Sequence, residues 1–242
     1  EIGLSVGLKN AVKEIRKFTD KPIIYDHQKG GTDIPEKGEK FASVCADAGI
    51  NAIIIFPFTG PKSEDAWIDS INKQGLGLIV GAEMTHANFL ASAVWYISDD
   101  APKKIFSLAA KKGVTNFVVP SNKLDHTAEY KKFIESCGVK PVFYLPGINT
   151  QGGEIEAVKK LLKTNFHAIV GRSLYESKDM KKTAIELAGL LWLFMHEFVH
   201  SMKVKILDIE AGKMISILNQ KNANEFGLMA LDRIKISKKN GI

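Results

Sequence analysis

Cysteine is nearly absent. Cys45 and Cys137 are the only two in 242 residues, and neither sits in a CxxC or Cys/His pattern. That leaves no sequence basis for a disulfide framework or a thiolate metal site, and it points to buried thiols in a reducing cytoplasm. Long apolar runs are missing as well. The longest, Ala188 to Val199 (AGLLWLFMHEFV), is broken by His196 and Glu197, so it reads as a packed helix face and not as a membrane span. No signal peptide opens the chain. No run of five like charges occurs, and the formal net charge of +6 is mild for this length. Such a balance favours small anions such as phosphates over nucleic acid. A GxGxxG turn after an early strand is also lacking, which argues against a doubly wound dinucleotide-binding sheet. Finally, the chain starts at Glu1 without an initiator methionine, so a processed or partial chain is expected.

What the chain has is a regular alternation. Apolar residues make up 45% and charged ones 25%, as in a globular protein. Short apolar runs near Ile2, Ile23, Ile53, Leu78, Val118, Val142 and Ile169 predict seven strands. Runs such as Ala52 to Phe56 have no polar side, as in parallel sheets covered on both faces. Between them, helices are predicted over Val12–Phe18, Gly38–Ala48, Asp65–Lys73, Pro102–Lys112, Thr127–Cys137, Glu154–Lys163 and Lys181–Val199. A (β/α)8 barrel needs eight such units. The expected fold is therefore α/β, a (β/α)8 TIM barrel missing strand 1, with that strand upstream of Glu1. Residues 1–200 form the barrel in this reading. Residues 202–242, with KVKILDIE, MISILN and DRIKIS, form a small β-rich extension or the start of a second domain. Forty residues are marginal alone, so this piece is expected to dock, dimerise or continue.

In a barrel, chemistry gathers where strands end. Tyr25 to Pro35, YDHQKGGTDIP, releases Asp26, Lys29 and Asp33 around two glycines, putting charges of both signs in a small volume. The plain counterpart is a strand-to-helix turn with Asp33 as a helix N-cap. Other strand ends carry Glu83-Met84-Thr85-His86, Pro120-Ser121-Asn122-Lys123, PGINTQGG from Pro146 to Gly153, and Gly171-Arg172-Ser173. The last two suit a phosphate, through glycine amides and a forked guanidinium. Singly, each has an ordinary reading: Gly152-Gly153 a flexible loop, Arg172 a surface ion pair, His86 a core histidine.

Taken together, YDHQKGGTDIP, EMTH, VVPSNK, PGINTQGG and IVGRSLY resemble orotidine 5'-monophosphate decarboxylase in its archaeal form, over roughly Glu1 to Tyr175. The resemblance implies conversion of orotidine 5'-monophosphate to uridine 5'-monophosphate in de novo pyrimidine biosynthesis, without metal or organic cofactor. It implies a cytoplasmic homodimer with shared sites, and no nucleic-acid or membrane partner. Carried over by position, Asp26 lies beside the substrate carboxylate, Lys29 protonates C6, and Asp33 reaches the neighbouring subunit's site. Thr85 and Ser121 bind the pyrimidine, while Gln151, Gly171 and Arg172 hold the phosphate. The chain departs from the family in spacing. Two residues separate Asp26 from Lys29 and three separate Lys29 from Asp33, against a commoner acid-x-base-x-x-acid, and Glu1 stands where a further lysine is usual. The C-terminal piece weakly resembles the start of archaeal AMP phosphorylase.

Two other functions remain open at this point. One is a magnesium-dependent phosphosugar decarboxylase or aldolase, with Glu83 as the candidate extra metal ligand. The other is a non-catalytic nucleotide-binding module.

Overall fold

The apolar runs that alternate with amphipathic segments assemble into one parallel sheet. A computed structural model describes residues 6–27, 30–94, 96–148, 152–163, 165–195, 205–208 and 214–217. In chain order the elements are α1 (Leu8–Ile15), β1 (Ile24–Asp26), α2 (Lys37–Asp47), β2 (Ala52–Ile55), α3 (Pro61–Lys73), β3 (Gly77–Gly81), α4 (Ala91–Val94) and α5 (Ala101–Lys111). There follow β4 (Asn116–Val118), α6 (Leu124–Ser136), β5 (Val142–Pro146), α7 (Gly152–Leu162), β6 (Phe166–Ile169), α8 (Arg172–Tyr175), α9 (Met180–Met195), β7 (Lys205–Asp208) and β8 (Met214–Ile217).

Strands β1 to β6 lie side by side in sequential order, each parallel to the next. This is the curled sheet of a partial TIM barrel, with a helix in every crossover. Among the described residues β1 pairs only with β2 and β6 only with β5, so the sheet does not close within them. The strand expected near Ile2 lies outside the described residues.

The two faces of the sheet have different neighbours because alternate residues of a strand point opposite ways. Ile53, Ile55, Leu78, Val80, Phe117, Val119, Phe143 and Leu145 join the main core with helix residues such as Trp67, Ile71, Phe106 and Ile134. Each fully buried side chain of this size contributes ~1.5–3 kcal/mol. On the other, inner face Ile54, Phe56, Ile79 and Val118 form a smaller cluster, joined by Phe58, Met84, Tyr144 and Ile169. The ring of Phe56 lies so close over Gly81 that a side chain there would overlap it.

Helix spacing explains the main core. On α3, Trp67, Ile68 and Ile71 are buried, and Pro61 supplies the preset first turn. The same stripe buries Ser63 and Glu64. On α6 the buried positions are Thr127, Tyr130 and Ile134.

One expectation needs correction, and one alternative reading falls. The first helix is not Val12–Phe18 but Leu8–Ile15, because its buried residues are Ala11 and Val12. Phe18 is 88% exposed and sits in a turn held by Arg16, which donates to the Lys21 carbonyl and to Asn51 Oδ1. Asp33 is not a helix N-cap either. Helix α2 starts at Lys37 after Glu36, without a side-chain cap.

The chain divides into two compact units, Glu1–Leu191 and Trp192–Ile242, with the boundary inside α9. Within the second unit β7 and β8 pair antiparallel, Lys205 opposite Ile217 and Asp208 opposite Met214. They fall in KVKILDIE and MISILN, while DRIKIS lies outside the described residues.

Candidate active site

All six strands run the same way, so their C-terminal ends share one rim of the sheet. Asp26 ends β1, Thr85 follows β3, Ser121 follows β4, and Gly171 and Arg172 follow β6. Asp26 stands opposite Ile54 in register, so its side chain belongs to the inner face. Lys29 and Gln151 lie outside the described residues.

The loop after β1 is pinned on both flanks of position 29. The Gly30 N–H donates to the His27 carbonyl at 2.7 Å, and the Phe56 N–H donates to the Gly30 carbonyl at 2.8 Å. Thr59 Oγ1 donates to the Gly31 carbonyl at 2.8 Å, and Trp67 Nε1 to the Ile34 carbonyl at 3.1 Å. These bonds press the loop onto the end of β2. A Cβ at Gly30 would lie 2.8 Å from Ile55 Cγ2, and Gly31 has φ +81° with Pro57 3.0 Å from any Cβ. The paired glycines are thus demanded by close approach as well as by backbone conformation. His27 stacks on Phe41 at 5.0 Å, and its Nδ1 lies 3.2 Å from the Tyr25 hydroxyl. Asp33 is exposed, and its Oδ1 accepts from the Ile34 N–H at 2.7 Å.

Along the middle of the rim three strand ends meet. Ser121 is buried and its Oγ donates to the Pro146 carbonyl at 2.7 Å. Gly147, with φ +81°, sits where a Cβ would be 3.4 Å from Ser121 Oγ and 3.9 Å from Thr85 Cγ2. Asn122 Nδ2 donates to the Thr85 carbonyl at 2.9 Å. Thr85, Ser121 and Gly147 therefore form one contiguous patch.

Behind that patch is an ionic cluster that sequence reading did not assemble. The side chain of Glu83 is fully buried and accepts from Lys123 Nζ at 2.9 Å and from the Tyr130 hydroxyl at 2.6 Å. His126 Nδ1 lies 3.1 and 3.0 Å from its two oxygens. Burial pushes the Glu83 carboxyl up, but the bonds from Lys123, Tyr130 and His126 outweigh it and hold the group below the usual glutamate range. Burial and the Glu83 charge push the Tyr130 hydroxyl upward, so it stays a donor. The carboxylate is therefore spent on three protein partners, which removes Glu83 as the extra metal ligand. Among the described residues no cluster of three or more His, Cys, Asp or Glu has the geometry of a metal site. A signal was present in the sequence, since Lys123, His126 and Tyr130 recur at helical spacing after VVPSN.

Arg172 opens α8 and is exposed, and among the described residues it has no ion-pair partner. His86 is exposed too, meeting Phe89 edge-on at 5.6 Å, so it is not a core histidine. A cavity of about 460 Å³ lies beside the rim, walled by Phe58, Pro61, Glu64, Ile97 and Ile105, and none of the expected site residues lines it. No described helix is long and apolar enough to cross a membrane.

Comparison with known proteins gives a consistent answer. The sequence model of the orotidine 5'-phosphate decarboxylase / HUMPS family matches residues 2–187. Orotidine 5'-phosphate decarboxylase of Methanocaldococcus jannaschii is 33% identical over 188 residues, covering 78% of this chain and 82% of the relative. That of Methanosarcina mazei is 31% identical, covering 76% and 77%. A crystal structure of the Methanocaldococcus jannaschii decarboxylase complexed with the inhibitor BMP superposes with a TM-score of 0.65 at 31% identity, over 78% of this chain and 82% of that one.

Proposed function

The chain belongs to the orotidine 5'-phosphate decarboxylase / HUMPS family, and on that premise we propose that it converts orotidine 5'-monophosphate to uridine 5'-monophosphate in pyrimidine biosynthesis. The observation that carries this reading is the meeting of Thr85, Ser121 and Gly147 on the same rim as Asp26 and Arg172. A nucleotide offers a polar ring at one end and a dianion at the other, and this rim offers hydroxyls at one place and an uncommitted guanidinium at another.

Each role follows from the chemistry. The Ser121 hydroxyl gives its proton to the Pro146 carbonyl, which leaves its lone pairs for a ring N–H. Thr85 supplies a second hydroxyl. Arg172, with Gln151 and the Gly171 amide, holds the phosphate, and a planar guanidinium forks onto phosphate oxygens well. When the bond from C6 to the carboxylate breaks, carbon dioxide leaves and the electron pair stays on C6. Lys29 then delivers its proton to C6 and recovers one from water. A fixed ammonium stabilises the developing charge without reorganising as water must. Asp26, on the inner face, keeps that ammonium charged and aimed, and it lies beside the departing carboxylate.

The reading includes a cytoplasmic homodimer in which Asp33 enters the neighbouring site. Asp33 is exposed, and Ile34 beside it is 54% exposed, as a segment covered by a second copy would be. It requires no metal and no organic cofactor.

The test is to incubate the purified protein with orotidine 5'-monophosphate and follow the ultraviolet band of the orotate ring while identifying the product. Turnover to uridine 5'-monophosphate that continues in a chelator supports the proposal. Uridine 5'-monophosphate binding without turnover would replace it with a non-catalytic module.

A further inference from the structure

The Glu83 cluster has a cost that packing alone does not justify. A fully buried carboxylate held by a partly buried ammonium loses hydration that the pair does not usually regain, and apolar residues of similar volume would join the sheet to α6 as well or better. What apolar residues could not do is fix directions. Lys123 Nζ reaches both Glu83 Oε1 and the Met84 carbonyl, each at 2.9 Å. Its neighbour Asn122 holds the next carbonyl, that of Thr85. Ser121, one residue earlier, holds the carbonyl of Pro146. Three consecutive residues of the loop after β4 therefore grip three carbonyls, two on the loop after β3 and one at the end of β5. Glu83 anchors that grip from below, with Tyr130 and His126 fastening it to α6.

We propose that Glu83 is a positioning residue for the pyrimidine end of the substrate. By holding Lys123 it keeps Thr85 and Ser121 at a fixed spacing, so that both hydroxyls meet one ring. It does not touch the nucleotide, and it has no part in holding the phosphate. The inference rests on the decarboxylase reading for the identity of the ring, but its test does not require turnover.

The experiment compares two inhibitors or ligands, uridine 5'-monophosphate and ribose 5-phosphate, which share a phosphate and differ in the ring. Affinities are measured for the wild-type protein, Glu83→Gln and Tyr130→Phe, with thermal unfolding recorded for each. A neutral hydrogen bond lost from a ligand weakens it up to about tenfold, and two hydroxyls are at stake. Glu83→Gln should therefore weaken uridine 5'-monophosphate about 10-fold to 100-fold and leave ribose 5-phosphate within about twofold. Tyr130→Phe, which removes one bond without removing the ring, should shift the same ratio less and in the same direction. A merely structural cluster would lower the melting temperature and weaken both ligands alike. That result, or an unchanged ratio in both variants, overturns the inference. Failure of the wild-type protein to decarboxylate, with the ligand ratio still shifting as stated, would instead overturn the functional reading alone.

Discussion

Asp26 stands directly across from Ile54 in the parallel pairing of β1 with β2. Since Ile54 belongs to the inner-face cluster, the carboxylate that ends β1 faces the interior of the curl and not the helices. That inner face also carries Ile169, the last residue of β6, three positions before Arg172 opens α8. One rim thus carries an acid at its first strand, hydroxyls in the middle and a cation at its last.

Gly147 adjoins both hydroxyl residues of the patch. Its φ of +81° suits glycine, and a methyl group would start 3.4 Å from Ser121 Oγ. Gly147→Ala should cost ~1–2 kcal/mol from the left-handed backbone alone. It should also raise KM for the nucleotide, because relief of that backbone strain would move the adjacent Pro146 carbonyl that Ser121 Oγ bonds. Thermal unfolding and steady-state kinetics check both, and an unchanged KM would detach Ser121 from the ring.

Arg172 should matter for the phosphate and for little else. It has no ion-pair partner among the described residues, so Arg172→Ala should leave the melting temperature within about 1 °C. Loss of a charge-assisted bond is worth ~1.5–3 kcal/mol, so KM for the nucleotide should rise about 10-fold to 100-fold. Binding of uridine, which lacks the phosphate, should not change. Equal losses for uridine and its monophosphate would contradict this role.

Glu64 makes stability depend on pH. It is 2% exposed on the apolar stripe of α3, and burial, with the charge of Asp65 second, pushes its carboxyl up to about 8. Among the described residues its Oε1 has no hydrogen-bond partner. An acid raised on folding keeps its proton while the unfolded chain has lost it. Between the ordinary glutamate value and about 8, stability therefore falls as pH rises, by at most ~1.4 kcal/mol per pH unit. Glu64→Gln should flatten that slope in unfolding measured from pH 5 to 8. Parallel curves for the two proteins would show that Glu64 is charged in the fold.

Much of the fold was legible because parallel strands leave no polar face. Runs such as Ala52 to Phe56 announce themselves, and the sheet follows their order. The first helix was displaced toward the C-terminus because Phe18 looks like a core residue, when it is in fact exposed. The glycines at 30 and 31 could be read as a turn. Their reason could not, since Ile55 and Pro57 approach them only after β2 is in place. Of the Glu83 cluster only the helical spacing of Lys123, His126 and Tyr130 was legible, and the acid they share was not, for a similar cause. Its partner Lys123 lies 40 residues away in sequence, and only the pairing of β3 with β4 brings the two loops together.

The account turns on the ammonium of Lys29 as the proton donor to C6. The most direct measurement is the turnover of orotidine 5'-monophosphate by the wild-type protein and by Lys29→Ala, with uridine 5'-monophosphate affinity determined for both. General acid catalysis and charge stabilisation are each worth on the order of 100-fold or more. The account predicts wild-type decarboxylation that falls by at least about 1,000-fold in the variant while product affinity changes by less than about tenfold. Turnover in Lys29→Ala at the wild-type rate would contradict it.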